Sequence, residues 1–391
     1  MNKAVVSSSV QQYAAAFGKL QTPFYFYDTQ LLRQTLNVLT QSASAHDFHV
    51  HYALKANAHP HLLEIIREAG LGADCVSGNE VQRAIDCGFA PENIVFAGVG
   101  KTDAEIKIAL HHDIFCFNCE SLQELEVIAE LAAEAGKTAR VALRVNPNVD
   151  ARTHHYITTG LEENKFGIGL HEIGEVIALL KLHTHIECMG LHVHIGSQIT
   201  DLNVFRSLCL KVNRLQQLFA LYGLPLPHLN LGGGLGVNYH EPDAHPIADF
   251  EKYFEIFAKF LERRPGQKIH FELGRAIVAQ CGTLISRVLY IKKGLPTHFA
   301  VLDAGMTELI RPALYQAYHH IEALTATGDL QKYDVVGPVC ESADCFAKAL
   351  ELPELHRGDL IALRTAGAYG EVMVSNYNLR NRQDAVFSDL M

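Results

Sequence analysis

The sequence predicts a (β/α)8 barrel followed by an all-β domain. Over the first 275 residues, eight short apolar segments of strand length alternate with amphipathic segments of helix length. A glycine-rich segment at residues 232–236 follows the seventh strand. After Arg275, strand-type segments continue with few helices between them. We therefore predict a barrel domain over residues 29–275 and a β-rich domain formed by residues 1–28 and 276–391.

The eight predicted barrel strands are apolar runs, and the segments between them carry apolar side chains at three- and four-residue spacings. The strands are residues 50–54, 73–76, 94–97, 114–117, 141–145, 190–195, 228–231 and 269–273, and helices are predicted at 62–68, 121–135 and 250–262. A doubly wound sheet would also alternate in this way. Its glycine fingerprint, however, belongs after the first strand, whereas a glycine-rich turn after the seventh strand is typical of barrel phosphate sites.

The predicted β-rich domain contains strand-type segments at residues 276–293, 299–304, 333–337 and 359–364. The early aromatic segment at residues 24–27 follows Pro23 and precedes the barrel. We expect it to join this second domain, which is then discontinuous in sequence.

Composition narrows the class of protein. Hydrophobic residues make up 48% of the 391 residues, which favours a globular protein. The net charge is −10 and the chain lacks a basic run, so a small-molecule ligand is favoured over nucleic acid or a membrane. The nine cysteines have no framework spacing and the chain carries no signal peptide, so we expect a cytoplasmic protein. Cys116 and Cys119 have no second pair, and no metal site is expected.

Lys55 is the most informative single residue because it closes the apolar run of the first strand and is followed by turn-forming residues. An amine at the mouth of a parallel strand can lose its charge by desolvation and become a nucleophile toward a carbonyl. Taken alone, it could equally be a solvated lysine just beyond a strand.

Other strand ends carry polar residues that would meet Lys55 at the same end of a barrel. They are Asp74, Ser77 and Glu80 after strand two, Arg144 and Asn146 after strand five, His194, Gly196 and Ser197 after strand six, and Glu272 and Arg275 after strand eight. His192 and His194 alternate, so both would share one face. A nucleophilic lysine, a phosphate cradle, a carboxylate and a flat imidazole together indicate pyridoxal 5'-phosphate.

Each part has a chemical reason. The amine of Lys55 would bind the cofactor aldehyde covalently, and the amides around Gly234 would bind its phosphate. Glu272 would keep the ring nitrogen protonated, and His194 would stack on the ring. Singly, each also has a structural explanation, as a capping glutamate, a packed histidine or a tight-turn glycine.

Six ordered motifs resemble those of the alanine-racemase-fold, group IV pyridoxal-phosphate decarboxylases, and are most similar to the diaminopimelate decarboxylases among them. They are residues 52–57 (YALKAN), 194–198 (HIGSQ), 232–236 (GGGLG), 272–275 (ELGR), 337–342 (GPVCES) and 366–370 (AGAYG). The resemblance runs from about residue 24 to residue 378. It implies a homodimer whose active sites lie between the barrel of one subunit and the β domain of the other.

The resemblance also implies roles for individual residues. Lys55 and His194 would be catalytic, with Cys340 as proton donor. The cofactor would be bound by Lys55, His194, Ser197, Gly233, Gly234, Glu272, Gly274, Arg275 and Tyr369. The amino-acid substrate would be bound by Arg275, Arg311, Tyr315, Glu341 and Tyr369. One departure is Leu273, where the family usually has proline, although both charged neighbours and Gly274 are retained.

Charge matching bears on the substrate. Diaminopimelate carries a second amino-acid head, whose carboxylate requires a cation, whereas ornithine carries only an ammonium. Arg311 and Tyr315 are four residues apart and would share one face if this segment is helical, and Glu341 could take the ammonium. The expected reaction is decarboxylation of meso-2,6-diaminopimelate to L-lysine and CO2, the last step of lysine biosynthesis. A polyamine-pathway decarboxylase, acting on carboxynorspermidine or ornithine, is the alternative.

Two further alternatives are less favoured. In an alanine racemase, the family resemblance leads one to expect an arginine at the ring nitrogen, where this chain has Glu272. A cofactor-free regulatory relative would be expected to lack the lysine or the phosphate cradle, and this chain has both.

Overall fold

The structure is a computed structural model that describes residues 10–149, 165–295 and 297–391. The chain forms two compact units. The barrel unit contains residues 36–236 and 249–275, and the sheet unit contains residues 10–35, 237–248 and 276–391, within the described ranges. The sequence placed residues 29–35 and 237–248 in the barrel domain, whereas here both segments belong to the sheet unit.

Eight parallel strands close into the predicted barrel. Numbered along the chain after β1 (Phe24–Tyr27), they are β2 (Phe48–Ala53), β3 (Gly72–Cys75), β4 (Ile94–Phe96), β5 (Cys116–Cys119), β6 (Ala139–Arg144), β7 (Ile186–His192), β8 (His228–Asn230) and β9 (Lys268–Leu273). Pairing of β9 with β2 closes the ring. The predicted fold class is confirmed, with the glycine-rich segment directly after the seventh barrel strand.

Two strand positions differ from the prediction. The strand predicted at 114–117 lies two residues later, at β5, and the one predicted at 190–195 begins earlier and ends at His192. In β7 the pairing with β6 shifts by one residue before Gly190, whose φ of 156° accommodates the irregularity. The pairing of β7 with β6 and β8 stops at His192, before the end of the apolar run, and His194 lies in the loop that follows.

Helices connect the barrel strands and bury amphipathic faces. They are α3 (Pro60–Glu68), α4 (Gly78–Asp86), α5 (Asp103–His112), α6 (Leu122–Glu134), α7 (Ile173–Leu182), α8 (Asn203–Leu221) and α9 (Phe250–Phe260), and α2 (Thr29–Ser44) precedes the first barrel strand. The predicted site residues Ser77 and Glu80 have structural contacts here. The hydroxyl of Ser77 caps α4 by accepting from the amide of Glu80, and the Glu80 carboxylate accepts from the amide of Val76.

The sheet unit is built on an eight-stranded sheet in which β1 pairs antiparallel with β10. Its later strands are β10 (Gly282–Lys293), β11 (His298–Leu302), β12 (Ile321–Ala323), β13 (Leu330–Val336), β14 (Cys345–Pro353), β15 (Leu360–Leu363) and β16 (Val386–Phe387). Short helices are α1 (Ala14–Phe17), α10 (Arg275–Val278) and α11 (Arg311–Tyr315). The prediction of one strand over 276–293 was wrong at its start, because the chain makes α10 before β10 begins.

Two further features concern the described residues as a whole. None of their helices is both long enough and apolar enough to cross a membrane. Cys116 and Cys119 are free and buried on β5.

Candidate active site

Glu272 lies near the end of β9 and accepts hydrogen bonds from three other strands. Oε1 accepts from Nδ2 of Asn118 at 2.9 Å and from Nδ2 of Asn230 at 2.6 Å, and Oε2 accepts from Nε2 of His192 at 2.9 Å. Asn118 belongs to β5, which is not adjacent to β9 in the ring, so this contact crosses the barrel interior. The carboxylate is thus fixed inside the barrel, and its residue is only 5% exposed.

These donors determine the charge of Glu272. Burial alone would raise its pKa, but the charge and hydrogen bond of His192, together with Lys55, hold the pKa well below its usual range. The carboxylate is therefore ionised. Nδ1 of His192 is buried and has no hydrogen-bond partner among the described residues, so the ring contacts the carboxylate through Nε2 alone.

Lys55 lies two residues beyond the end of β2 and faces the end of β3. Its Nζ is 3.4 Å from Oδ2 of Asp74. Asp74 is fully buried, and burial followed by the nearby charge of Glu272 raises its pKa to about 8. Oδ1 of Asp74 has no hydrogen-bond partner among the described residues. The predicted position of Lys55 at the mouth of the first barrel strand is what the structure shows.

The glycine-rich segment packs against the ends of neighbouring strands. A Cβ on Gly233 would overlap the carbonyl oxygen of Glu272, and Gly234 has a φ of 113°, which favours glycine. The amide of Gly233 donates to Nδ1 of His194 at 3.2 Å, which places the proton of a neutral ring on Nε2. Burial, followed by the charges of Lys55 and Arg144, lowers the pKa of His194 well below its ordinary value.

Arg275 and Ser197 are hydrogen-bonded to each other in the barrel unit. Nε and Nη2 of Arg275 each donate to the hydroxyl of Ser197 at 3.1 Å. Gly274 precedes this arginine, and a Cβ there would lie 2.9 Å from the Cβ of Ala56. The close approach explains a glycine beside Leu273, which is itself buried.

The residues of the barrel unit fit pyridoxal phosphate. An ionised carboxylate fixed by three hydrogen-bond donors suits a protonated ring nitrogen, which needs a nearby negative charge. The neutral imidazole of His194 suits contact with the face of the cofactor ring. The glycine-rich segment and Arg275 suit the cofactor phosphate. Lys55 lies beside a buried carboxyl group of Asp74 whose raised pKa favours the neutral acid.

The remaining predicted residues lie in the sheet unit. Arg311 begins α11 and is 6% exposed, and Tyr315 ends the same helix, as the spacing predicted. Cys340 and Glu341 are exposed, and Glu341 accepts a hydrogen bond from the hydroxyl of Tyr377 at 2.7 Å. Tyr369 is half-buried, with a φ of 56°.

Sequence reasoning missed the contact residues Asn118 and Asn230, and the part that His192 plays. A signal was present, because each is a polar side chain near the end of an otherwise apolar strand. The alternation of a strand places Asn230 on the same face as His228, and Glu272 on the same face as His270. Their burial inside the barrel follows from that pattern, but their common partner does not.

Comparison with known families identifies the class of protein. Residues 30–279 match the family model described as "Pyridoxal-dependent decarboxylase, pyridoxal binding domain". This match covers the whole barrel unit from β2 to β9.

Individual relatives match over nearly the whole chain. The diaminopimelate decarboxylase of Bacteroides thetaiotaomicron is 54% identical over 374 residues, which are 95% of this chain and 97% of the relative. That of Aquifex aeolicus is 40% identical over 96% of this chain and 87% of the relative. The solved diaminopimelate decarboxylase of Helicobacter pylori, complexed with L-lysine, superposes with a TM-score of 0.90 at 40% identity and covers 96% of this chain and 94% of that one. The chain therefore belongs to the pyridoxal-dependent decarboxylase family and, within it, to the diaminopimelate decarboxylases.

Proposed function

We propose that this chain decarboxylates meso-2,6-diaminopimelate to L-lysine and CO2, the last step of lysine biosynthesis. The observation that carries the chemistry is the ionised Glu272, held inside the barrel by Asn118, His192 and Asn230. The substrate follows from the relatives, which are named diaminopimelate decarboxylases and are 40–54% identical to this chain.

Pyridoxal 5'-phosphate, when bound, supplies an electron sink for the bond that releases CO2. Within this chain, the amine of Lys55 binds the cofactor aldehyde, and Glu272 holds a proton at the ring nitrogen. Neutral His194 packs against the ring. We assign the phosphate to Gly233 and Gly234, with Ser197, Gly274 and Arg275 as neighbouring groups.

The substrate groups belong to the sheet unit in this proposal. Arg311 binds the carboxylate of the head that remains in the product, with Tyr315 beside it on α11, and Glu341 binds the ammonium of that head. Tyr369 contacts both cofactor and substrate, and Cys340 donates the proton that replaces the lost carboxyl group. Arg275, in the barrel unit, is the remaining residue that we assign to substrate binding.

The sites are shared in a homodimer, so Cys340 and Glu341 serve the cofactor of the partner subunit. The family resemblance supports this assignment. We also propose a cytoplasmic location, on the ground of the unpaired cysteines.

The test is the release of CO2 from meso-diaminopimelate, ornithine, arginine and carboxynorspermidine, measured side by side. We expect diaminopimelate to be the preferred substrate. Arg311→Met should lower kcat/KM for it by about 2–5 kcal/mol in activation free energy, the range for breaking a buried charge pair. Arg357→Met, which removes an exposed guanidinium in the sheet unit, is the matched control.

Two results would overturn the proposal. One is faster release from ornithine or carboxynorspermidine, which would favour the polyamine-pathway alternative. The other is an unchanged rate on diaminopimelate in Arg311→Met, which would remove Arg311 from substrate recognition and leave the distal carboxylate without its assigned cation.

A further inference from the structure

Arg311 is held by two neutral acceptors within the sheet unit. Its Nη1 donates to the hydroxyl oxygen of Tyr239 at 3.0 Å and to Nε2 of His319 at 3.0 Å. All three side chains are buried, with 6%, 7% and 3% of Arg311, Tyr239 and His319 exposed. The guanidinium carbon also lies 5.1 Å from the centre of the Tyr239 ring. Both the orientation and the depth of this guanidinium are therefore constrained.

The protonation of His319 follows from its second contact. Its Nδ1 lies 3.0 Å from the carbonyl oxygen of Arg364, which only accepts, so Nδ1 carries a proton. Nε2 must then offer its lone pair, because Arg311 only donates. The side chain of Arg364 is itself fixed by ion pairs with Asp243 and Glu322 at 2.8 Å and 2.5 Å. A neutral His319 is thus the form that satisfies both neighbours.

Neutral acceptors have a different effect on a guanidinium from carboxylates. A carboxylate would orient Nη1 and also cancel much of the positive charge, whereas a phenol oxygen and an imidazole nitrogen orient it and leave the charge intact. Tyr239 comes from residues 237–248, the segment that follows the glycine-rich turn and belongs to the sheet unit. Tyr239 therefore contacts Arg311 from a distant part of the sequence.

We propose that Tyr239 and His319 are positioning residues that make Arg311 specific for substrates with a second carboxylate. This inference rests on the proposed function, since it assumes that Arg311 binds the carboxylate of the retained head. Tyr239 and His319 act through Arg311 and do not touch the substrate themselves. They set the direction of its Nη1 so that the other donors of the planar guanidinium have a fixed orientation.

The test compares two ligands that differ in that carboxylate. L-Lysine keeps the retained amino-acid head, and cadaverine is the same chain without any carboxylate. Each is used as an inhibitor of CO2 release by the cofactor-loaded full-length protein. Tyr239→Phe and His319→Leu should raise the inhibition constant of L-lysine about tenfold and leave that of cadaverine within about twofold, the loss expected for a hydrogen bond to a charged group.

The kinetic constants provide a second readout. In both variants the KM for diaminopimelate should rise, and kcat should change little, because the contact serves the bound substrate and the transition state alike. His319→Gln should recover part of the affinity for L-lysine, since its amide oxygen can accept from Arg311. Tyr333→Phe is the matched control, because it removes a buried hydroxyl that contacts Gln331 and Leu355 instead.

Four outcomes are decisive. Unchanged L-lysine inhibition in Tyr239→Phe and His319→Leu would overturn the inference, and so would equal weakening of L-lysine and cadaverine, which indicates a general loss of structure. If the wild-type protein does not act on diaminopimelate at all, the proposed function fails instead. A selective loss for L-lysine with recovery in His319→Gln supports the positioning role.

Discussion

At the scale of single residues, two lysines of the barrel unit show how environment decides chemistry. Lys101 is 1% exposed and donates to the carbonyls of Gly98 and Asn118 and to the carboxylate of Glu124. These three acceptors match the three donors of the Lys101 side chain, so this amine is fully engaged in structural contacts. Lys55 is more exposed, at 37%, and its contact with Asp74 is longer, at 3.4 Å. The structure therefore favours Lys55 as the nucleophilic amine.

The first prediction concerns this amine. Borohydride reduction of the cofactor-loaded protein should fix the label on Lys55, and peptide mapping by mass spectrometry locates it. Lys101 serves as an internal comparison because its ammonium is fully engaged, and Lys165 as a second. A label on either of them, or no label on fully loaded protein, would contradict the assignment.

Glu272 is the second residue whose environment carries the chemistry. Three donors stabilise its ionised form, and the residue itself is buried. A neutral amide at this position would present one oxygen and one NH2 group to the same neighbours. The NH2 group cannot accept from a donor, so at least one contact would be lost.

We predict that Glu272→Gln keeps much of the bound cofactor but loses decarboxylation by orders of magnitude. The reason is that an amide no longer holds the proton on the ring nitrogen, while the lysine and the glycine-rich segment are unchanged. Cofactor absorbance of the purified protein gives the occupancy, and CO2 release gives the rate. Near-normal turnover in this variant would remove Glu272 from the proposed role.

At the scale of elements, the early parts of β2, β8 and β9 place a chain of histidines inside the barrel unit. Nδ1 of His51 contacts the carbonyl of Asn93 at 3.0 Å, so it must donate. Its Nε2 then accepts from Nδ1 of His270 at 3.0 Å, and Nε2 of His270 accepts from Nδ1 of His228 at 2.9 Å. The order of donors requires His51 and His270 to be neutral, because a second proton on either would place two N–H groups against each other.

This chain predicts how stability depends on pH. Burial is the largest cause that lowers the pKa of His49, His51, His228 and His270 below the ordinary value. As the pH falls through about 6.5, the unfolded chain takes up protons that the folded chain does not, so the free energy of unfolding decreases. The stability contribution is present above that pH and is lost on acidification.

We expect His270→Asn to be less stable at neutral pH but to lose less stability between pH 7.5 and pH 5.5. Removing one titrating group reduces the slope of the unfolding free energy against pH by at most about 1.4 kcal/mol per pH unit. Unfolding midpoints in urea, measured across this range, give the comparison, and the exposed His356→Asn is the control. An unchanged slope in His270→Asn would show that this histidine is not neutral in the folded barrel.

At the scale of the whole molecule, the residues that we assign to the active site are divided between the two units. Lys55, His194 and Glu272 belong to the barrel unit, whereas Cys340 and Glu341 belong to the sheet unit and are exposed. An exposed proton donor requires a closed environment before it can act on a substrate from which water is excluded. The proposed homodimer supplies that environment through the partner subunit.

The prediction at this scale is complementation between inactive variants. Lys55→Ala and Cys340→Ala should each be inactive, and a mixture should recover part of the activity after subunit exchange. In the mixed dimer, one of the two shared sites has both Lys55 and Cys340 intact. Size-exclusion chromatography with a tagged subunit demonstrates the exchange. Exchange without recovered activity would show that each site uses residues of one subunit.

The sequence by itself determined the fold class and the reactive end of the barrel. Eight apolar runs with intervening amphipathic helices predict the parallel barrel, and the end of a strand is a local feature, so Lys55, Glu272 and the glycine-rich turn could be placed without coordinates. Arg311 and Tyr315 were expected to share a face if their segment is helical, and that segment forms α11. These features depend on residues close together in the chain, where the periods of strands and helices apply.

Only the tertiary structure decided which side chains meet. The partners of Glu272 are 154, 80 and 42 residues away in sequence, and Tyr239 is 72 residues from Arg311. Strand alternation tells which face a side chain occupies, but contacts across a closed barrel depend on the register of every strand between them. The early end of β7 illustrates this, since its pairing with β6 and β8 stops at His192 and leaves His194 in a loop, although the apolar run continues to Ile195. Protonation states follow last, because a hydrogen-bonded histidine takes the form that its partners require.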